Sequence, residues 1–183
     1  MSGMRKPIQL ILGVVVCVVS LHSVAVAQKS ELKFTVPPGW VAEERSSSMR
    51  VAQYKLPRAA SDTEDASLVL YYFGQNQGGS TAANIERWAS QIKQADGSTA
   101  KDAREERLEV NGLKITTVDL SGTYVAETAP GSGSFLNQPG YRLRAAVVET
   151  PHGPYFVKLV GPEKTVAKWN EAFLSYIKSF EFK

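Results

Sequence analysis

The sequence predicts an α+β domain in which a mostly antiparallel sheet of about six to seven strands packs against two amphipathic helices. Three observations carry this expectation. Segments of strand length recur with alternating or continuous apolar character. Asn111-Gly112 sits between two of them as a tight hairpin turn requires, and two other segments change to i, i+3, i+4, i+7 apolar spacing.

Leu32-Lys33-Phe34-Thr35-Val36 alternates and stops at Pro37-Pro38-Gly39, so a half-buried strand is expected there. Trp40 and Val41 follow. Arg50 to Leu56 alternates again, and Ser67 to Phe73 holds the unbroken run Leu-Val-Leu-Tyr-Tyr-Phe of a central strand covered on both faces. Gly74 to Gly79 turns the chain, and Ser80 is placed to cap a helix by accepting from a first-turn amide. Ile85, Trp88, Ala89 and Ile92 form its apolar stripe, and Asp96-Gly97 is expected to close it.

Leu108-Glu109-Val110 and Leu113-Lys114-Ile115 flank Asn111-Gly112, residues that tolerate the positive φ values of a type I′ turn. The second strand runs on through Val118 and Leu120 toward Tyr124. Its apolar phase changes after Ile115, which requires a bulge or burial on both faces. Tyr141–Thr150 and Tyr155–Val160 make a further hairpin around Pro151-His152-Gly153-Pro154. Pro162 opens the final helix, where its missing N–H costs nothing, and Val166, Trp169, Phe173, Tyr176, Ile177 and Phe180 line one side.

Residues 1–27 read as an export signal and 28–183 as one domain. Arg5 and Lys6 precede an apolar run from Ile8 to Leu21, followed by small residues two apart. Ala25 and Ala27 suit the shallow pocket of signal peptidase, placing the cut before Gln28; Ser23 and Ala25 offer a second cut before Val26. An uncleaved anchor would need ~20 mostly apolar residues and would have to absorb Gln9, His22 and two serines. No membrane span is therefore expected after cleavage, and the final location is periplasmic or extracellular. Cys17, preceded by Val16 rather than by the small residue of a lipoprotein signal, leaves with the cut. The mature domain then has no disulfide and no reactive thiol.

Cleavage also removes two of 21 basic residues and none of 18 acidic ones, lowering the formal charge from +3 to +1. Such a balance provides no field for nucleic acid or an anionic membrane. Arg104-Glu105-Glu106-Arg107 alternates in sign as a solvated face does.

At this point the residues resemble a known family. A strand ending in Val36-Pro37-Pro38-Gly39-Trp40, a central antiparallel sheet and a closing amphipathic helix are similar to the PsbP-like superfamily. Tyr71-Tyr72-Phe73-Gly74, Gln77-Gly78-Gly79, Asn84-Ile85-Glu86-Arg87-Trp88 and Ser121-Gly122-Thr123-Tyr124 resemble a group of exported bacterial proteins without an assigned role. The resemblance implies a sandwich fold and an accessory or binding module, and it carries no active-site residue to this chain.

Chemistry can be argued away more readily than assigned. Gly74 to Thr81 sits where a phosphate-binding loop would, but Ser80 occupies the lysine position, leaving only weak anion binding by the helix-start amides. His152, the only histidine of the mature chain, falls at a hairpin tip. Zinc lacks its ligands, and Asp62, Glu64 and Asp65 do not have calcium-loop spacing. No cofactor is expected. Trp88 and Trp169 fall on helix stripes, whereas Trp40 is uncommitted. Ala126 to Gly140 reads as a long Gly/Pro/Ser-rich connection whose apolar pair, Phe135 and Leu136, either tucks against the sheet or docks another protein.

The expected function is a non-enzymatic exported domain that binds or assists another envelope protein. A small-ligand carrier with a cleft between sheet and helix is the alternative, and a hydrolase without a recognisable motif comes third. Partner and oligomeric state stay open.

Overall fold

The computed structural model describes residues 31–100, 103–128 and 131–183. The expected export segment, with Ala25, Ala27 and Gln28, lies outside them. Four strands come first, β1 (Leu32–Lys33), β2 (Val41–Ala42), β3 (Arg50–Leu56) and β4 (Ala66–Tyr72), then helix α1 (Thr81–Ser90). Five more follow: β5 (Ile92–Lys93), β6 (Arg104–Val110), β7 (Leu113–Glu127), β8 (Phe135–Glu149) and β9 (Tyr155–Pro162). Helices α2 (Glu163–Lys168) and α3 (Asn170–Lys178) and strand β10 (Glu181–Phe182) complete the order.

One sheet runs β2-β3-β4-β9-β8-β7-β5, with β6 also paired to β7, and every pairing in it is antiparallel. The chain is thus α+β with a mainly antiparallel sheet. A separate ladder joins β1 to β10. The hairpin turn between β6 and β7 has φ of 50° at Asn111 and 79° at Gly112, the two positive values that a type I′ turn needs.

Helices cover both faces of the sheet. Leu56, Leu68, Leu70, Val157 and Leu159 pack with Val166, Phe173, Tyr176 and Phe180 from the C-terminal helices and the segment after them. On the opposite face Val118, Leu120, Leu143, Val147 and Phe156 pack with Ile85 and Trp88 of α1. β7 to β9 therefore bury side chains on both faces. This explains the phase change after Ile115: the pairing with β8 runs unbroken from Ile115 to Val118, so there is no bulge at that point. The register shifts later, between Gly122 and Tyr124.

Several sequence expectations need correction. The final helix is two helices, because Trp169 (φ −98°, ψ 11°) leaves helical geometry and its indole N–H donates to the Pro57 carbonyl at 2.9 Å. Helix α1 ends at Ser90 rather than at Asp96-Gly97. Ile92 is instead a strand residue paired with Tyr124, and the Gln91 carbonyl accepts from the Val125 amide at 2.8 Å. The first strand stops at Lys33 because β10 offers only two residues, and the Thr35 amide turns to the Ser179 hydroxyl. Trp40 belongs to the core, tilted against Tyr54 and Tyr176. Finally, most of the expected Ala126–Gly140 connection is strand. β7 extends to Glu127, β8 starts at Phe135, and Ala126 pairs with Leu136.

Candidate functional site

Sheet register assembles the site. Gln53 pairs with Val69, Val69 with Lys158, Lys158 with Ala145 and Ala145 with Val118. These five form one row across the sheet, and period-two alternation puts Phe156 and Val160 on the same face on either side of Lys158. That face carries α1. Gln53 and Lys158 are the polar members of this row, and Lys158 lies where the end of the helix meets the β4–β9 pair.

A recess of about 180 Å³ opens there, lined by Tyr71 of β4 and Phe73 just after it, Arg87, Trp88 and Gln91 at the end of α1, and Phe156 and Lys158 from β9. The Lys158 ammonium donates to Gln91 Oε1 at 2.7 Å and to the Tyr124 hydroxyl at 2.9 Å, and lies 4.9 Å from the Tyr124 ring centroid. Burial, and secondarily the charge of Arg87, push Lys158 down to about 8. Burial, followed by Tyr71, pushes Tyr124 up to about 12, so its hydroxyl keeps its proton at neutral pH. The rings of Tyr71 and Phe73 lie parallel with centroids 5.9 Å apart, and the Arg50 guanidinium sits 5.6 Å from the Tyr71 centroid. Among the described residues, no ion pair reaches Lys158, Arg87 or Arg50.

The loop between β4 and α1 sets the back wall. Gly78 has φ of 88°, and a Cβ there would come within 2.5 Å of the Phe156 ring, so only glycine admits the contact with Phe156 and Phe73. Asn84 donates to the Gly78 and Ser80 carbonyls at 2.8 and 2.9 Å, and the Ser80 hydroxyl accepts from the Ala83 amide at 3.2 Å. The glycine-rich turn is thereby tied into the helix start as a structural connection.

The opposite face shows how this fold treats another buried cation. Arg144, only 5 % exposed, packs over the Phe173 ring, contacts Asn170 and has its Nε 3.5 Å from the Asp119 carboxylate. Arg142 makes a two-pronged contact with the same carboxylate at 2.7 and 2.5 Å. The buried arginine on β8 has a counter-ion, whereas the half-buried lysine on β9 has none.

A second, wider groove of about 890 Å³ runs between α1 and the β6–β7 hairpin. Its floor is made of small and aliphatic groups such as Ala82, Ala89 and Ile85. Its charges are of mixed sign, with Glu86, Glu105, Glu109 and Glu149 against Arg107 and Lys114.

The residues singled out from sequence take the following places. Phe135 and Leu136 lie on β8 where it extends with β7, 61 % and 38 % exposed, so the pair does not tuck against the sheet. His152 sits exposed at its turn with its carbonyl accepting from the Tyr72 hydroxyl at 2.7 Å. The three acids of the Asp62 loop have separate structural partners. Asp62 accepts from the Thr165 amide and hydroxyl at the start of α2, Asp65 from the Arg58 amide, and Glu64 from the Tyr141 hydroxyl. Among the described residues no cluster of His, Cys, Asp or Glu is arranged to hold a metal ion, and no helix is long and apolar enough to cross a membrane. Trp88 is core, as its position on the helix stripe predicts, although its edge reaches the recess.

Sequence reasoning missed Lys158. The signal was present: one lysine inside Tyr155-Phe156-Val157-Lys158-Leu159-Val160, a strand with no other charge. A strand buried on both faces has no solvated side for a cation, so that lysine had to be either paired or functional. In comparison with known proteins, the chain matches no family model and no curated protein.

Proposed function

We propose that the mature chain is an exported binding domain, rather than an enzyme, that carries a small ligand in the recess between α1 and the sheet. The observation that supports this is Lys158: a desolvated cation without a counter-ion, at the bottom of a pre-formed aromatic recess. Pockets of this make-up, apolar walls with a few convergent polar groups and a perturbed titratable residue, are the usual form of a ligand site. The resemblance of Val36-Pro37-Pro38-Gly39-Trp40 to the PsbP-like superfamily, whose domains are mostly accessory or binding modules, is in keeping with the same role. The test is thermal denaturation of the purified domain with small-molecule fractions of an envelope extract. A ligand at 100 times its Kd stabilises by about 2.7 kcal/mol, which is about 5–10 °C for a domain of this size. The expected result is one fraction that raises Tm in wild type and not in Lys158→Met. If no fraction raises Tm, the carrier reading falls.

A second reading has its own observation. Phe135 and Leu136 expose apolar surface on an extended β7–β8 arm, which supports capture of another envelope protein.

A further inference from the structure

The Lys158 recess holds more donors than acceptors. The ammonium has three N–H groups and uses two, on Gln91 and Tyr124. The Tyr124 hydroxyl accepts one of these bonds and keeps its own proton, for which no acceptor lies within reach among the described residues. Arg87 uses one guanidinium nitrogen on the Asn84 side chain and none on a carboxylate. A half-buried ammonium with a spare donor, beside the exposed Arg87 guanidinium and with no carboxylate paired to either, makes the recess complementary to an anionic acceptor from outside the chain.

The remaining walls limit what that anion can be. Trp88 and Phe156 are only 3 % and 1 % exposed, so the accessible apolar wall is the half-buried pair Tyr71 and Phe73, and the ligand has a small apolar body as well as a charge. At ~30 Å³ per water, 180 Å³ takes about six waters, and it is below the ~300 Å³ at which drug-sized pockets begin. One ring with one acid group fits that scale. Gln91 is also the C-cap of α1, so the negative end of the helix dipole faces this region. That end favours the two cations and disfavours an anion in proportion to its charge, so a monoanion is opposed less than phosphate, whose sites use helix N-termini.

We propose that the recess binds a small aromatic monocarboxylate, its carboxylate held by Lys158 and Arg87 and its ring against Tyr71 and Phe73. The proposal rests on the carrier reading and names its ligand class. The experiment is calorimetric titration of the purified mature protein with benzoate, benzyl alcohol and inorganic phosphate, at pH 6.5 and 9.5. Benzoate is expected to saturate one site at pH 6.5, at least tenfold more tightly than either of the other two. Affinity should fall several-fold at pH 9.5, where Lys158 has lost its proton. Lys158→Met should weaken benzoate at least tenfold and Arg87→Gln, on the exposed side of α1, several-fold, with both variants first shown to melt cooperatively. Benzyl alcohol or phosphate binding as tightly as benzoate would overturn the ligand class and leave the carrier reading standing. Benzoate affinity unchanged in both variants would overturn the site. If wild type binds none of the three, the aromatic-monocarboxylate proposal fails, and the envelope fractions then decide the carrier reading separately.

Discussion

Two side chains on neighbouring strands, Arg144 on β8 and Lys158 on β9, show what a single buried charge can mean. Both interrupt apolar runs. Asp119 sits opposite the first as its counter-ion, while Asn170 and Phe173 contact it from α3; the second meets a hydroxyl, an amide oxygen, aromatic rings and the like charge of Arg87. Burying an unpaired cation costs stability, so with no ligand bound the recess should be a weak point of the fold. Lys158→Met is therefore expected to raise stability at pH 7, by at most about 3 kcal/mol. The pH dependence gives this a sign. Lys158 is pushed from 10.5 to about 8 in the folded chain, so between those values the unfolded chain holds more of this proton. Stability from this group rises with pH across that window and is constant below it. The gap between wild type and Lys158→Met should accordingly be full at pH 7 and close by pH 10.5, as read by denaturant melts. A wild type more stable than the variant at pH 7 would show that the lysine is structural. No local rule distinguishes Arg144 from Lys158 in the sequence, because each needs its cross-strand neighbours to be known.

At the level of elements, some local signals were legible and others not: Pro162, expected at the first helical position, is instead the N-cap of α2 and the last residue of β9, and Asp96-Gly97 does not close α1. Ser80 caps α1 as its position implies, and Asn111-Gly112 makes the turn its φ preferences require. The β7–β8 arm is the instructive miss. Pro130, Gly131, Gly133, Pro139 and Gly140 argue for an open loop, yet pairing of Ala126 with Leu136 and Glu127 with Phe135 makes strand of it. The turn is drawn closed by the Thr128 amide on the Ser134 carbonyl at 2.9 Å. Strand formation depends on a partner strand, and composition does not report one. Because Phe135 and Leu136 are exposed, replacing both by serine should leave Tm within about 2 °C, the range of ordinary surface changes. Recovery of a cross-linked envelope protein should drop sharply in the same variant. If the variant unfolds early and still captures a partner, the arm is not a docking element. The split of the final helix at Trp169 has a similar origin, since the indole is tied to Pro57 across a separation of 112 residues.

For the molecule as a whole, the described chain begins and ends in one place. Glu31 and Lys183 exchange backbone hydrogen bonds, β1 pairs with β10, and Phe180 is fully buried beside Tyr176. A cut before Gln28 would leave three residues ahead of Glu31, enough to preserve that closure. Intact mass of the exported protein is expected to start at Gln28, or at Val26 in the second register, and a membrane-bound species starting at Met1 would contradict it.

The residues by themselves determined the α+β class, the antiparallel hairpins, the helix cap and the two-sided burial of the central strands. These follow from periodicity and turn preference, which act between near neighbours in the chain. Only the tertiary structure decided where helices stop, that the Phe135 region is strand, and that Lys158 meets Gln91, Tyr124 and Arg87. Those contacts span 34 residues or more for the lysine's two hydrogen bonds. They depend on the register of β4, β9 and β8 and on how α1 crosses them, which no local pattern encodes.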